Sequence, residues 1–393
     1  MTSTLVSSIL TINSGSSSIK FAVYEIEWPP FEVLVGEIEG IGAKESVVHY
    51  FNTRNGTPEI IKKNIADYKE AVNVIRDVIK DFGPIKAIGH RIVHGMKHTA
   101  PQKITNELID EIKSLSLYDP EHVPGEVALI EILMKKYPDE IHVACFDTSF
   151  HTMMPEVAKW IPVPRRFKAQ GVQRYGFHGL SYSYLLEELN RLAGSESANG
   201  RIIMAHLGNG ASLAAVKNGK SIDTSMGFTP TGGLLMGTRT GDLDPGVAFY
   251  LLQAEKLNLQ QFNHLINHES GLLGISGMSS DMRELLKDQA NDSRAAEAID
   301  VFNYQTKKWI GSFAAALGGV DTLIFSGGIG ENASQIRASI CSDLEFLGIT
   351  LDESRNVKHE GIISSDSSRV CVRVIRTNEQ LMIARLVYQF LKQ

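Results

Sequence analysis

Residues 5–26, LVSSILTINSGSSSIKFAVYEI, decide the fold: an apolar run, a turn of glycine and hydroxyl residues, then a second apolar run. The pattern predicts a β-hairpin closed by a tight bend. Residues 201–223, RIIMAHLGNGASLAAVKNGKSID, repeat it in the second half of the chain, with a Gly-Asn-Gly-Ala-Ser turn, a second turn at Asn218-Gly219 and another short strand. Two strand–turn–strand units so far apart hint at internal duplication, although they share little sequence.

Outward from these hairpins, helix and strand alternate. Residues 61–82 carry helical spacing (Ile65, Tyr68, Ala71, Val72, Ile75, Val78, Ile79) and stop at Gly83-Pro84. Residues 85–88 and 141–146 read as short buried strands. Residues 295–318 predict a long helix with Ala298, Val301, Phe302, Trp309, Ile310, Phe313 and Leu317 as its apolar stripe. A strand over 322–325 and a loop over 326–330 follow, and a last helix, Glu379–Leu391, closes the pattern. Such alternation predicts mixed α/β layers. At 393 residues the chain exceeds one ordinary core, so two domains are expected.

Hydrophobic residues at 43% and charged residues at 21% describe a soluble globular protein. A formal net charge of −6 argues against a nucleic-acid or anionic-membrane partner. Cys145, Cys341 and Cys371 lie far apart with no CxxC spacing, which reads as free thiols in a reducing cytosol. Neither a signal peptide nor an apolar run of the roughly 18 residues needed for a spanning helix is apparent, so the expected location is cytoplasmic.

Three glycine-rich turns each follow an apolar strand: NSGSSS at 13–18, GNGAS at 208–212 and GGIGE at 327–331. Glycine lets backbone N–H groups approach a polyanion, and Ser and Asn add donors. No GxxxxGK[ST] loop is present. Any one of these turns alone reads as an ordinary hairpin or βα connection; three together point to nucleotide phosphates. Arg91 in GHR and Arg239 in MGTRTGD sit among small residues, where a guanidinium fork suits carboxylate or phosphoryl oxygens. The alternative for Arg239 is a structural pair with Asp242 or Asp244. Asp147 ends the strand IHVACF, as a functional carboxylate or as a helix cap. Of the histidines at 90, 94, 178 and 206, His178 in RYGFHG is singled out. Glu379 either ligates Mg²⁺ or charges the first turn of the last helix.

The assembled motifs resemble the acetate kinase family over essentially the whole chain. They are TINSGSSSIKF, GHRIVHG (89–95), CFDTSFHTMMP (145–155), RYGFHG (174–179), HLGNGAS (206–212), DTSMGFTP (223–230), MGTRTGDLDPG (236–246), SGLLGISGMSSDMR (270–283), FSGGIGENA (325–333) and TNEQLMIAR (377–385). The resemblance implies an α/β fold of two duplicated ribonuclease-H-like domains, of the actin/Hsp70/sugar-kinase type, around a nucleotide cleft. The first domain would span 1–150 and be completed by 379–393; the second would span 151–378 and carry the nucleotide site and a dimer interface. The implied reaction is reversible transfer of the ATP γ-phosphoryl group to the carboxylate of acetate, giving acetyl phosphate and ADP. Propionate or another short-chain acid is the alternative, and a non-catalytic nucleotide switch is the rival from another class. Implied partners are small molecules and a second copy of the chain.

Carried over by motif, Arg91 and Arg239 would bracket the acid and the phosphoryl group, Asp147 would position metal or nucleophile, and His178 would donate to phosphoryl oxygens. Asn13, with Ser16, Ser18 and Lys20 nearby, would lie at the phosphate end of the first hairpin, and Asn13 and Glu379 would serve Mg²⁺, with Mn²⁺ as a substitute. The nucleotide would contact Lys20, His206, Gly208, Asn209, Gly210, Asp281, Met282, Arg283, Gly328, Ile329 and Glu331. Two departures stand beside the acid site. Tyr118, in LSLYDPEH, occupies the place of a family histidine, and RYGFHGTSH becomes RYGFHGLSY, with Leu180 and Tyr182. Either His122 replaces the lost donor or the site relies on His178 and the arginines; the loop path around Pro120 favours the latter.

Overall fold

The computed structural model describes residues 6–15 and 17–393; Ser16 lies outside them. The opening hairpin forms as β1 (Ser8–Ser14) and β2 (Ser18–Glu25), antiparallel, with Asn13 opposite Lys20. The chain continues through β3 (Phe31–Glu39), β4 (Ser46–Asn52), β5 (Thr57–Lys63), β6 (Ile85–Ile92), β7 (Gln102–Lys103) and β8 (Ile141–Phe146). These make one sheet of order β5-β4-β3-β2-β1-β6-β8-β7. The second hairpin is β9 (Arg201–Leu207) and β10 (Ala211–Lys217), followed by β11 (Lys220–Thr224), β12 (Thr322–Ser326) and β13 (Cys371–Val374) in a sheet of order β11-β10-β9-β12-β13.

Duplication shows in the pairing, not in residue identity. In the first sheet β3, β2 and β1 are antiparallel neighbours, and β6 then β8 add parallel to β1. In the second, β11, β10 and β9 are antiparallel neighbours, and β12 then β13 add parallel to β9. Each has the order 3-2-1-4-5 with the same directions. The chain divides into two compact units, Met1–Ser149 with Asn378–Gln393, and Phe150–Thr377.

The first unit's central strand β1 is buried at every residue, as a strand covered on both faces must be. Leu10 and Ile12 share a core with Ile75 of the helix Tyr68–Ile79 and with Leu129 and Leu133 of the helix Val123–Lys136. The helix Glu379–Leu391 also packs on β1 and β6. It seats there because residue 89 is glycine: a Cβ would lie 2.5 Å from Ile383 Cγ2 and 2.7 Å from Val387 Cγ2. In the second unit Tyr182, Leu185 and Leu189 of the helix Gly179–Ala198 pack on Ile202, Met204, Ala214 and Ile324. The helix Ser293–Leu317 lies against β9, β10 and β11.

Two expected elements differ. The helix expected over 61–82 begins at Tyr68, capped by Asp67, whose carboxylate accepts from the Glu70 N–H. Residues 57–63 instead pair with β4, a long-range partner that local spacing does not encode. The expected loop at 326–330 is the start of a short helix, Gly327–Asn332. Gly327 has φ +75°, and a Cβ there would lie 2.7 Å from the Leu207 carbonyl oxygen. Glycine is required at that point for the strand to turn into a helix. No helix among the described residues is long and apolar enough to cross a membrane. All three cysteines are free thiols.

Candidate active site

The ends of β1, β6 and β8 and the start of the final helix bring four expected residues together in the first unit. Arg91 donates from Nε (3.0 Å) and Nη2 (2.5 Å) to Asp147 Oδ2, and from Nη1 to Asn13 Oδ1 (3.2 Å). The Asn13 amide nitrogen donates to Glu379 Oε2 at 2.7 Å. Asp147 is fully buried, and its Oδ2 accepts both of these Arg91 bonds. Burial alone would depress the Arg91 pKa, but Asp147 and Glu379 outweigh it and push the guanidinium's pKa up. The cation is therefore permanent, and Asp147 and Asn13 hold its orientation. Lys20, paired opposite Asn13, holds its ammonium 3.8 Å from Glu37 on β3.

Glu126 joins the same neighbourhood and was not anticipated. Its carboxyl oxygens accept from the Val93 N–H at 3.1 and 3.3 Å, two residues beyond Arg91. Burial drives its pKa up to about 8, against the pull of Arg91. An acidic residue within the apolar run VPGEVALIEIL was the only sequence signal for it. Because the folded pKa is raised from 4.5, the folded state holds a proton that the unfolded state releases between those values. The contribution of Glu126 to stability is therefore fully present below this window and is lost as pH rises through it. Replacing Glu126 with Gln should flatten the decline of Tm between about pH 5 and 8. Equal slopes in the two proteins would show that Glu126 ionises in the ordinary carboxylate range.

The second unit gathers another set. His178, half-buried, precedes the helix Gly179–Ala198 in a left-handed conformation, φ 58°. Its Nδ1 lies 2.9 Å from Ser212 Oγ, and its ring stacks on His206 at 4.3 Å. His206 Nδ1 lies 2.8 Å from Ser181 Oγ, which is 2.7 Å from Thr377 Oγ1. A Cβ on Gly210 would lie 3.3 Å from His178 Nε2 and 3.9 Å from Arg239 Nη1, so these two groups face one small volume. Arg239 donates to the Pro230 carbonyl at 3.3 Å. Asp242 accepts from the Gly233 N–H at 2.8 Å and Asp244 from the Gly246 N–H at 2.6 Å.

Beside them a cavity of about 750 Å³ is lined by Gly208, Asn209, Asp281, Met282, Arg283, Gly328 and Ile329, among others. Seven expected nucleotide contacts thus meet in one space. Gly210 and His206 neighbour Gly208 in the sequence. The Glu331 carboxylate accepts from the N–H groups of Gly327 (2.9 Å) and Thr377 (3.0 Å), fixing the loop. Gly328 is exposed, and a Cβ there would meet no protein atom within 4 Å. Valine at 328 should therefore leave Tm nearly unchanged and raise KM for ATP far more than KM for the acid. An unchanged KM for ATP in this variant would remove Gly328 from the nucleotide surface.

Tyr118 packs its ring against the core formed by Ile92, Leu115, Val123 and their neighbours, with the His94 ring 6.2 Å away. His122 Nδ1 lies 2.8 and 3.1 Å from the two oxygens of Asp119, which is almost fully buried.

Two units of one topology, each ending its central strand in a glycine-rich turn beside fixed cationic donors, define a phosphotransferase of the duplicated actin and sugar-kinase architecture. The chain belongs to the acetokinase family, whose sequence pattern matches residues 8–385. It is 43% identical over 391 residues to an acetate kinase of Rhodopseudomonas palustris, covering 97% of this chain and 98% of that one. Among solved structures it is similar to an acetate kinase of Porphyromonas gingivalis (39% identity, TM-score 0.87, covering 98% and 100% of the two chains). It is also similar to a propionate kinase of Francisella tularensis (36%, TM-score 0.91, covering 97% and 99%).

Proposed function

We propose that the protein transfers the γ-phosphoryl group of ATP reversibly to the carboxylate of acetate, giving acetyl phosphate and ADP. Family membership over nearly the whole chain supports the reaction class. Two observations, one within each unit, support the chemical reading: Arg91 is braced by Asp147 and Asn13, and Arg239 lies beside His178 Nε2.

An attacking carboxylate is already an anion at neutral pH and needs no general base. Catalysis then consists of alignment and of neutralising charge on the equatorial phosphoryl oxygens. In this reading Arg91 holds the acid carboxylate or the transferring group, Arg239 and His178 donate to phosphoryl oxygens, and the 750 Å³ cavity takes the nucleotide. Asp147 fixes Arg91, a positioning role. The donor chemistry suits Mg²⁺: hard carboxylate and amide oxygens at Asn13, Asp147 and Glu379 stand together, and a nucleotide-bound Mg²⁺ needs only one or two protein carboxylates. Asn13 already bridges Arg91 and Glu379, so Glu379 would be the metal-facing group and Asn13 its orienter. When bound, the ion would neutralise phosphate charge.

Acetate is proposed ahead of propionate because Rhodopseudomonas palustris and Porphyromonas gingivalis relatives carry that activity in their names. Hydroxamate trapping of acyl phosphate across C2, C3 and C4 acids tests both levels. No acyl phosphate from any acid would sink the kinase reading, and a higher kcat/KM for propionate would reassign the acid. The apolar helix Pro245–Ala254 buries none of its residues, with Phe249 and Tyr250 each 64% exposed. That supports a homodimer through the second unit, to be checked by light scattering. A cytoplasmic location agrees with this chemistry, and fractionation would test it.

A further inference from the structure

We infer that Tyr182 is a positioning residue that fixes the ring tautomer of His178 through Ser212. This rests on the reading of His178 as a donor to phosphoryl oxygen. Tyr182 is fully buried, four residues beyond His178 on the same helix. Its backbone N–H donates to the His178 carbonyl at 3.0 Å. Its hydroxyl lies 2.5 Å from Ser212 Oγ, and Ser212 Oγ lies 2.9 Å from His178 Nδ1. Ser212 is itself fully buried on β10. Tyr182 thus grips His178 at both ends, by its backbone directly and by its side chain through one hydroxyl.

The direction of this chain decides what His178 can do. His178 Nε2 faces the volume it shares with Arg239 Nη1. A guanidinium only donates, so a group held there is an anion that accepts. His178 contributes to the same anion only if Nε2 carries a proton; a lone pair at Nε2 would repel it. In a neutral imidazole that leaves Nδ1 as the acceptor, and the hydrogen bond made by one ring nitrogen sets the state of the other. Tyr182 Oη donating to Ser212, and Ser212 donating to Nδ1, supplies that bond. A phenol is the stronger donor of the two hydroxyl types, which biases the chain in this sense. The backbone at His178 is left-handed, unusual for a residue with a side chain. No proton is transferred in the reaction by this device; it holds one at Nε2.

The test joins a spectroscopic readout to kinetics. Side-chain ¹⁵N NMR of the protein, with His178 assigned by its loss in His178→Gln, is expected to show a neutral ring protonated at Nε2 at about pH 7.5, where free imidazole is mostly neutral. Tyr182→Phe keeps the ring and its packing and removes only the hydroxyl. It is expected to shift His178 toward the Nδ1–H form and to lower kcat roughly 10- to 100-fold, the usual effect of losing an outer hydrogen-bond partner. KM for ATP should change by less than about twofold, because the nucleotide surface is untouched. Ser212→Ala should give the same shift, and combining the two should add little. Tyr182→His, which restores a ring N–H donor, should recover part of kcat.

A wild-type His178 protonated at Nδ1, or doubly protonated, would overturn the relay. So would a Tyr182→Phe variant with unchanged tautomer, or with a shifted tautomer and unchanged kcat. Failure of the underlying reading looks different: His178→Ala would keep turnover while the NMR still reported Nε2–H in the wild type.

Discussion

Alanine at position 239 is expected to lower kcat by about 10³- to 10⁵-fold while leaving the affinity for ATP nearly intact. An arginine that acts on transition-state phosphoryl charge is worth about that factor, or roughly 4–7 kcal/mol of barrier. The structure makes this the cleaner of the two arginine tests. Arg239 donates to the carbonyl of Pro230 at 3.3 Å and lies 3.8 Å from Met236 Sδ. Arg91 differs. Removing it would leave Asp147, fully buried, without its guanidinium partner, and breaking such a pair costs roughly 3–5 kcal/mol of stability. Lost activity in an Arg91 variant would therefore mix folding with catalysis. For Arg239→Ala, equilibrium nucleotide binding and single-turnover phosphoryl transfer separate the two. Turnover within tenfold of wild type would reduce Arg239 to a loop support.

The second large effect separates two histidines. His178→Ala should remove most turnover, whereas His122→Ala should keep most of it and lose stability. His122 is bound at 2.8 and 3.1 Å to the oxygens of Asp119, next to the helix Val123–Lys136 that it precedes. Burial would raise the Asp119 pKa, but the hydrogen bond and charge of His122 outweigh it and hold it below the ordinary carboxylate value. A depressed carboxylate pKa contributes stability that is present above the unfolded pKa and lost as pH falls through the folded one. Deleting His122 should then cost about 1–3 kcal/mol, read as a lower Tm at neutral pH. His178 meets Ser212 at 2.9 Å and stacks on His206. If His122→Ala abolished turnover and His178→Ala did not, His122 would be the donor that replaces the family histidine at Tyr118.

The legibility of this fold varied with the range of the interactions concerned. Both hairpins were readable because their signals are local: two apolar runs of period two and a turn of glycine and polar residues between them. The final helix was readable for the same reason, its start marked by Asn378 and Glu379. Residues 57–63 misled because Ile61 and Ile65 extend a helical spacing backwards, while the partner that makes them a strand, β4, carries no local mark. The GGIGE segment misled in the opposite sense. Its glycines suggest a turn, yet one positive φ at Gly327 suffices to start a helix against Leu207. In the candidate site, residue types were legible and partners were not. Asp147 reads equally well as a cap or as a ligand until Arg91, 56 residues away, appears beside it. Tyr182 read only as a departure from a pattern, because Ser212, its partner, lies 30 residues on.

The seating of the last helix across Gly89 also dictates an order of assembly. Residues 8–146 leave the ribosome early, but the sheet they form lacks one covering layer until residues 379–391 have been made. The segment 150–377 contains its whole five-stranded sheet and is synthesised in between. During translation, the half that begins last therefore becomes self-sufficient first, while the half that begins first waits with one face of β1 and β6 open. Nascent chains stalled before residue 379 should expose that apolar face to chaperones, and their release should follow emergence of Ile383 and Val387, the two side chains that close over Gly89.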